Sequence, residues 1–229
     1  EEEEFRLKFI PSGFMSAGEL SIEPAKKEIE AFSKRVVRMY DFIPELFELN
    51  DDKKFEQLMS RTHKYEEITD RMEVEIANYL TKVSENGMSL GASQEISAML
   101  RIVDNLESIG DSCYQLSLTI DSKRKQNIAY SQEMNEKLQK MFSLVKEAVL
   151  EMNNNLSANY HNVSIDRAKE LENRINEYRD QLRTEHTEAV KQNQYPYQTG
   201  ISYSTLYAQC EKLADFAINV TEAIDKIKK

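Results

Sequence analysis

The sequence has no tryptophan, and only 6 glycines, 4 prolines and two cysteines among 229 residues. An apolar share of 40% without compositional bias excludes collagen-like and disordered chains. Cys113 and Cys210 are too few for a disulfide-stapled scaffold. Set inside helical patterns, they read as small buried apolar residues of a reducing compartment. No window approaches the roughly 18 uninterrupted apolar residues a membrane-spanning helix needs, and the acidic opening Glu1 to Glu4 is no secretory signal. Basic residues are the minority: 30 Lys and Arg against 40 Asp and Glu give a net charge of -10. That sign repels phosphate backbones and anionic lipid, which argues against nucleic acid and against direct membrane insertion. An opening without Met fits a piece of a longer protein, a tag scar or a processed terminus. The Asn-x-Ser/Thr triplets at Asn155, Asn162 and Asn219 are chance matches in an Asn-rich chain.

What remains is 31% charged residues and long stretches free of Gly and Pro, the composition of a helical bundle with almost no strand. Apolar residues recur at steps of three and four in six segments. The first starts near Pro24 and runs through Ile29, Phe32, Val36, Met39, Ile43 and Phe47, with Pro44 kinking its last turn. The second runs from Phe55 to Val83 and stops at Asn86-Gly87. The third follows a loop from Gly87 to Ser93 and carries Ile96 to Ile120. A polar basic stretch, Asp121 to Asn127, separates the halves. The fourth runs from Met134 to about Leu156. The fifth starts at an N-cap Ser164 and carries Ala168, Leu171, Ile175, Tyr178, Leu182 and Ala189. A loop from Gln192 to Gly200 leads to the sixth, Leu206 to Ile227. Helices near 30 residues are about 45 Å long, and short connections fold them back on one another. The expected fold is all-α, two tandem three-helix bundles: a lead-in over 1–23, a first repeat over 24–124 and a second over 125–229.

The halves are related in sequence as well as in helix count. Leu106-Glu107-x-Ile109-Gly110-Asp111 matches Cys210-Glu211-x-Leu213-Ala214-Asp215, and Glu66-x-x-x-Asp70 matches Glu172-x-x-x-Asn176. Duplication of a three-helix hairpin explains both.

These matches are also where the chemistry concentrates. A Glu and an Asp four apart on a helix share one face with Cβ atoms roughly 6 Å apart, and like charges there repel unless a cation intervenes. The stripe Asp104, Glu107, Asp111 lies beside the apolar seam. Antiparallel packing of the second and third helices turns Glu66 and Asp70 toward Glu107 and Asp111. Hard oxygen donors in such a groove suit iron, manganese, magnesium or calcium better than zinc. The alternative is that these acids flank the seam, paired with Arg71, Arg101 or Lys212 and solvated. In the second repeat Glu172, Glu211 and Asp215 form a weaker set, because Asn176 replaces a carboxylate.

No Glu-x-x-His occurs, since Ser60, Ala158 and Arg183 stand three before His63, His161 and His186; the three histidines read as solvated. No phosphate loop, nucleophile elbow or Cys-x-x-Cys is present, so the chain is not expected to be an enzyme.

Arg101-Ile-Val-Asp-Asn-Leu-Glu107-Ser-Ile-Gly-Asp111 resembles the signature of PhoU-like domains, which carry Glu/Asp-x-x-x-Asp motifs on paired helices of two three-helix bundles. Leu206 to Val220 resembles the weaker second copy, and Glu66 to Glu73 and Glu172 to Tyr178 the companion motif. Ser108, Ser112 and Phe216 depart from the Arg and His residues of many relatives. Phe9-Ile-Pro and Glu19-Leu-Ser-Ile-Glu-Pro24 resemble the segment that joins the membrane domain of bacterial sodium/phosphate cotransporters to a C-terminal PhoU-like domain. The resemblance implies phosphate-responsive regulation at the cytoplasmic face of the plasma membrane, and a metal ion, iron first, held by Glu66, Asp70, Asp104, Glu107 and Asp111. Its implied partners are a membrane transport domain of the same chain and a second copy forming a homodimer. A free-standing adaptor that binds a transporter and a sensor kinase is the alternative.

Overall fold

Six helices account for most of the chain in the computed structural model, which describes residues 5–11, 21–85 and 87–227. They are α1 (Glu23–Glu48), α2 (Asp52–Ser84), α3 (Leu90–Lys125), α4 (Gln132–Ser157), α5 (Asp166–Lys191) and α6 (Tyr197–Ile227), with a 3-10 turn at Tyr160–Asn162. Among the described residues there is no strand. Side-chain caps start three of the helices. Asp51 accepts from Lys54 N at 2.8 Å, Ser89 from Ala92 N at 3.3 Å and Ser131 from Met134 N at 3.2 Å, each satisfying an orphan first-turn donor. Asn127 and Asn193 end α3 and α5 in the left-handed region, both with φ 53°. The amides that follow them turn back to Lys123 O and Ala189 O, closing the last carbonyls.

Several boundaries differ from the sequence reading. Ser164 does accept from Asp166 N at 3.2 Å, but the residue preceding the helix proper is Ile165, which carries no side-chain cap. The basic stretch after Asp121 is the last turn of α3, where Lys123, Arg124 and Lys125 complement the negative end of the helix dipole. The repeats are therefore joined by residues 126–131 rather than by a linker from 121. α6 starts at Tyr197, and Gly200 is helical: a Cβ there would stand 3.0 Å from His186 Cε1, so glycine serves helix packing rather than a loop. α1 continues past Pro44 to Glu48, since a missing donor so near the end breaks little of the ladder. Asn86, Glu19 and Leu20 lie outside the described residues.

Asn219 Nδ2 donates to Asn105 Oδ1 at 3.3 Å and Thr119 Oγ1 to Gln209 Oε1 at 3.0 Å. The partners descend α6 as they ascend α3, so these two helices run antiparallel. They form the most extensive helix pair, with α1 and α4 packed against them and against each other, and α2 and α5 on the flanks. The two three-helix units thus share one continuous apolar core, from Phe32 and Met39 through Leu106 and Cys113 to Cys210 and Ile224. Each such large side chain contributes about 1.5–3 kcal/mol on burial. Tyr40, wholly buried, donates to Phe142 O at 2.7 Å and ties α1 to α4. Cys113 and Cys210 are both free and buried in this core.

Candidate functional site

The site begins with a missing side chain. A Cβ at Gly110 would lie 2.6 Å from Thr69 Oγ1, so only glycine lets α3 come this close to α2. Thr69, fully buried, donates its hydroxyl hydrogen back to Glu66 O at 2.8 Å, so the oxygen that meets Gly110 is already hydrogen-bonded. On either side of the crossing, antiparallel register brings Glu66, Asp70 and Glu73 of α2 opposite Asp104, Glu107 and Asp111 of α3. Three of the six are partly buried, namely Glu66, Glu73 and Glu107, whereas the three aspartates are exposed along the rim.

The electrostatics follow from this placement. Burial raises the Glu107 carboxyl to about 7, and the negative fields of Asp70, Glu73, Asp111 and Asp104 push it the same way. Glu66, Asp70 and Glu73 are raised as well, by burial first and then by acidic neighbours: Asp70 and Asp111 act on Glu66, Asp111 and Glu67 on Asp70, Asp104 and Asp70 on Glu73. His63 supplies the nearest basic group, with Nδ1 3.4 Å from Glu66 Oε2 and its ring stacked on Tyr114. Among the described residues no lysine or arginine forms an ion pair with Asp70, Glu73, Asp104, Glu107 or Asp111. Two of the three cations named as partners lie over rings: Arg71 sits 3.9 Å over Phe5 and Lys212 5.9 Å over Phe216.

The second repeat is built differently. Glu172 and Asn176 stand on α5, Glu211 and Asp215 on α6, and the position equivalent to Glu73 is Arg179. Its guanidinium reaches Glu211 Oε1 at 2.7 Å and Asp180 Oδ1 at 2.8 Å. Asp215 is raised to about 6 by burial and then by Glu211 and Glu172, against the opposing pull of Arg179. Asn176 Oδ1 is buried without a hydrogen-bond partner. One groove is left anionic, and its copy carries an internal cation.

Glu66, Asp70, Asp104, Glu107 and Asp111, the residues singled out by their spacing, line this groove, whereas the sequence reading did not single out Glu73 or Arg179. Each lies three residues beyond the motif position, at Asp70 and Asn176, on the same helix face. His161 is exposed as expected. His186 is not: it is partly buried, its Nδ1 is 2.5 Å from the Tyr195 hydroxyl, and burial lowers its proton affinity.

The all-oxygen donor set has the chemistry of a hard-cation site. Its geometry does not form one ready-made, because among the described residues no three His, Cys, Asp or Glu side chains converge closely enough to hold an ion. The groove as it stands stores negative charge, and the repulsion is relieved by protonating Glu107 or by an approaching cation.

An α-helical bundle with paired acidic motifs is the class of structure these features define. Residues 29–120, which include this groove, match the family described as PhoU domain. Among solved structures the chain is similar to PhoU from Pseudomonas aeruginosa, with a TM-score of 0.78 and 13% sequence identity, over 90% of this chain and 96% of that one. At that identity the likeness is one of fold, and the fold is that of PhoU. No curated protein matches the chain. Among the described residues no helix is long and apolar enough to cross a membrane.

Proposed function

We propose that the chain is a non-enzymatic regulatory domain of phosphate homeostasis, attached to the cytoplasmic side of a sodium-dependent phosphate transporter. The observation that carries the reading is the uncompensated carboxylate groove inside the segment that matches the PhoU domain. The lead-in supports the attachment: Phe9-Ile-Pro and the residues before Pro24 resemble the join to a cotransporter membrane domain. The role of the groove is to accept a hard divalent or trivalent cation, iron by resemblance and manganese, magnesium or calcium by donor chemistry. Side chains of the first repeat turn toward it. In the second repeat Arg179 already occupies the electrostatic place of a metal, so that groove is structural.

The second reading is a free-standing adaptor between a transporter and a sensor kinase. The fold likeness over 96% of the Pseudomonas aeruginosa PhoU chain fits both readings, since a transporter tail can carry the same whole bundle. Coding sequence upstream of Glu1 separates the two: in-frame hydrophobic spans support the tail, a nearby start codon the adaptor. Regulation itself is tested in the native host by phosphate uptake with the Glu107→Ala, Asp111→Ala double variant. Uptake that no longer adjusts to phosphate supply supports the proposal, and unchanged adjustment contradicts it.

A further inference from the structure

Arg71 follows Asp70 directly in α2 and is exposed, yet its guanidinium sits 3.9 Å over the ring of Phe5 in the lead-in and pairs with no acid of the groove. We propose that residues 5–11 form a releasable strap that controls the charge of the acidic groove. Docked, the strap holds Arg71 away and the groove stays anionic; released, it frees Arg71 to compensate the groove. The inference rests on the reading of the groove as a cation acceptor and adds how that acceptor is regulated.

The strap has a built anchor. Glu28 on α1 is 1% exposed, and its Oε2 accepts from Lys8 N at 3.0 Å and from Phe9 N at 2.7 Å. These charge-assisted bonds hold backbone, so they fix the path of the segment whatever its side chains. Phe5, Leu7 and Ile10 pack against the core, and Phe5 takes the Arg71 cation over its face. Residues 5–11 belong to no helix, and none of them is fully buried. A segment held in this way opens at far lower cost than the bundle beneath it. Its release leaves the start of α1 in place, because Tyr79 of α2 donates to Ser21 O at 2.8 Å.

A released Arg71 has acceptors close by. Glu67 and Glu75 flank it one turn away on either side, and Asp70 precedes it. The second repeat shows that an arginine here reaches an adjacent carboxylate: Arg179 Nε bonds Asp180 Oδ1 at 2.8 Å. Pairing with Glu67 or Asp70 removes negative field from the groove, since Glu67 acts on Asp70, and Asp70 acts on Glu66, Glu73 and Glu107. The second groove holds this compensated state through Arg179 and Glu211 without any strap. One positive charge brought to about 7 Å from a divalent ion in screened solvent weakens its binding about fivefold. By linkage, a bound cation favours the docked strap by the same factor.

The test uses the full chain with Mn²⁺ as the probe. Calorimetric titration compares the parent with Phe5→Ala, Glu28→Ala, Arg71→Gln and the Phe5→Ala, Arg71→Gln double variant, with the melting temperature of each as a fold control. The expected result is Mn²⁺ binding weakened about fivefold by Phe5→Ala and by Glu28→Ala, and restored in the double variant, where no cation is left to swing. Tryptic cleavage after Arg6 and Lys8 reads the strap directly. Glu28→Ala should speed it, and Mn²⁺ should slow it in the parent but not in Arg71→Gln. Binding that Phe5→Ala leaves at full strength, or a loss that Arg71→Gln does not restore, overturns the strap's control while the cation reading stands. A parent that binds no Mn²⁺ overturns the cation reading, and the strap's control falls with it.

Discussion

Arg179 donates to Glu211 at 2.7 Å, in the place where the first repeat has Glu73 facing Glu107. One side chain thus separates a compensated groove from an uncompensated one. Replacing Arg179 with Gln leaves Glu172, Glu211 and Asp215 without their cation and should cost about 1–3 kcal/mol at pH 7. The cost should shrink by pH 5, because Asp215, raised to about 6, takes up a proton. Denaturant unfolding at the two pH values checks both statements.

Glu107 makes the opposite prediction. Its folded-state value of about 7 lies above the ordinary 4.5, so between these limits the native state holds a proton that the unfolded chain has released. The stability that goes with this proton is complete below pH 4.5 and is lost as pH rises through about 7. Glu107→Gln does not titrate. It should therefore gain on the parent with rising pH, reaching about 1 kcal/mol above pH 7 once solvent screening of a partly exposed group is allowed for. Unfolding midpoints from pH 4 to 8 measure the trend.

Gly110→Ala puts a methyl group 2.6 Å from Thr69 Oγ1 and should destabilise by about 1–3 kcal/mol despite alanine's better helix propensity. Thr69→Ala removes the clashing oxygen, so the double variant should lose less than the sum of the two single ones. A double-mutant cycle in urea reads the coupling. Additive losses would mean that the two helices do not meet here.

Cys113 and Cys210 are buried in the shared core, and burial pushes both thiols well above their ordinary range. Neither should react with a thiol reagent in the native protein, and both should do so in denaturant. Fast labelling of the folded chain would place the α3–α6 interface elsewhere.

The helices were legible because each buries one stripe, and a stripe at steps of three and four needs no tertiary information. The start of α1 came within a residue of Pro24, where proline has a fixed preference. The start of α6 did not: Pro196 and Gly200 read as a loop, yet Gly200 is small to clear His186 and Tyr195. The groove was legible because a short connection makes α2 and α3 antiparallel. Arg179 escaped because its meaning depends on Glu211, 32 residues later on another helix.

Metal content tests the central claim, that the first groove is built to receive a hard cation, most directly. Protein purified without chelator is compared by elemental analysis with Glu107→Ala and Asp111→Ala prepared identically. The account predicts a hard metal ion in the parent and a clear loss of it in each variant; equal metal content in all three would contradict it.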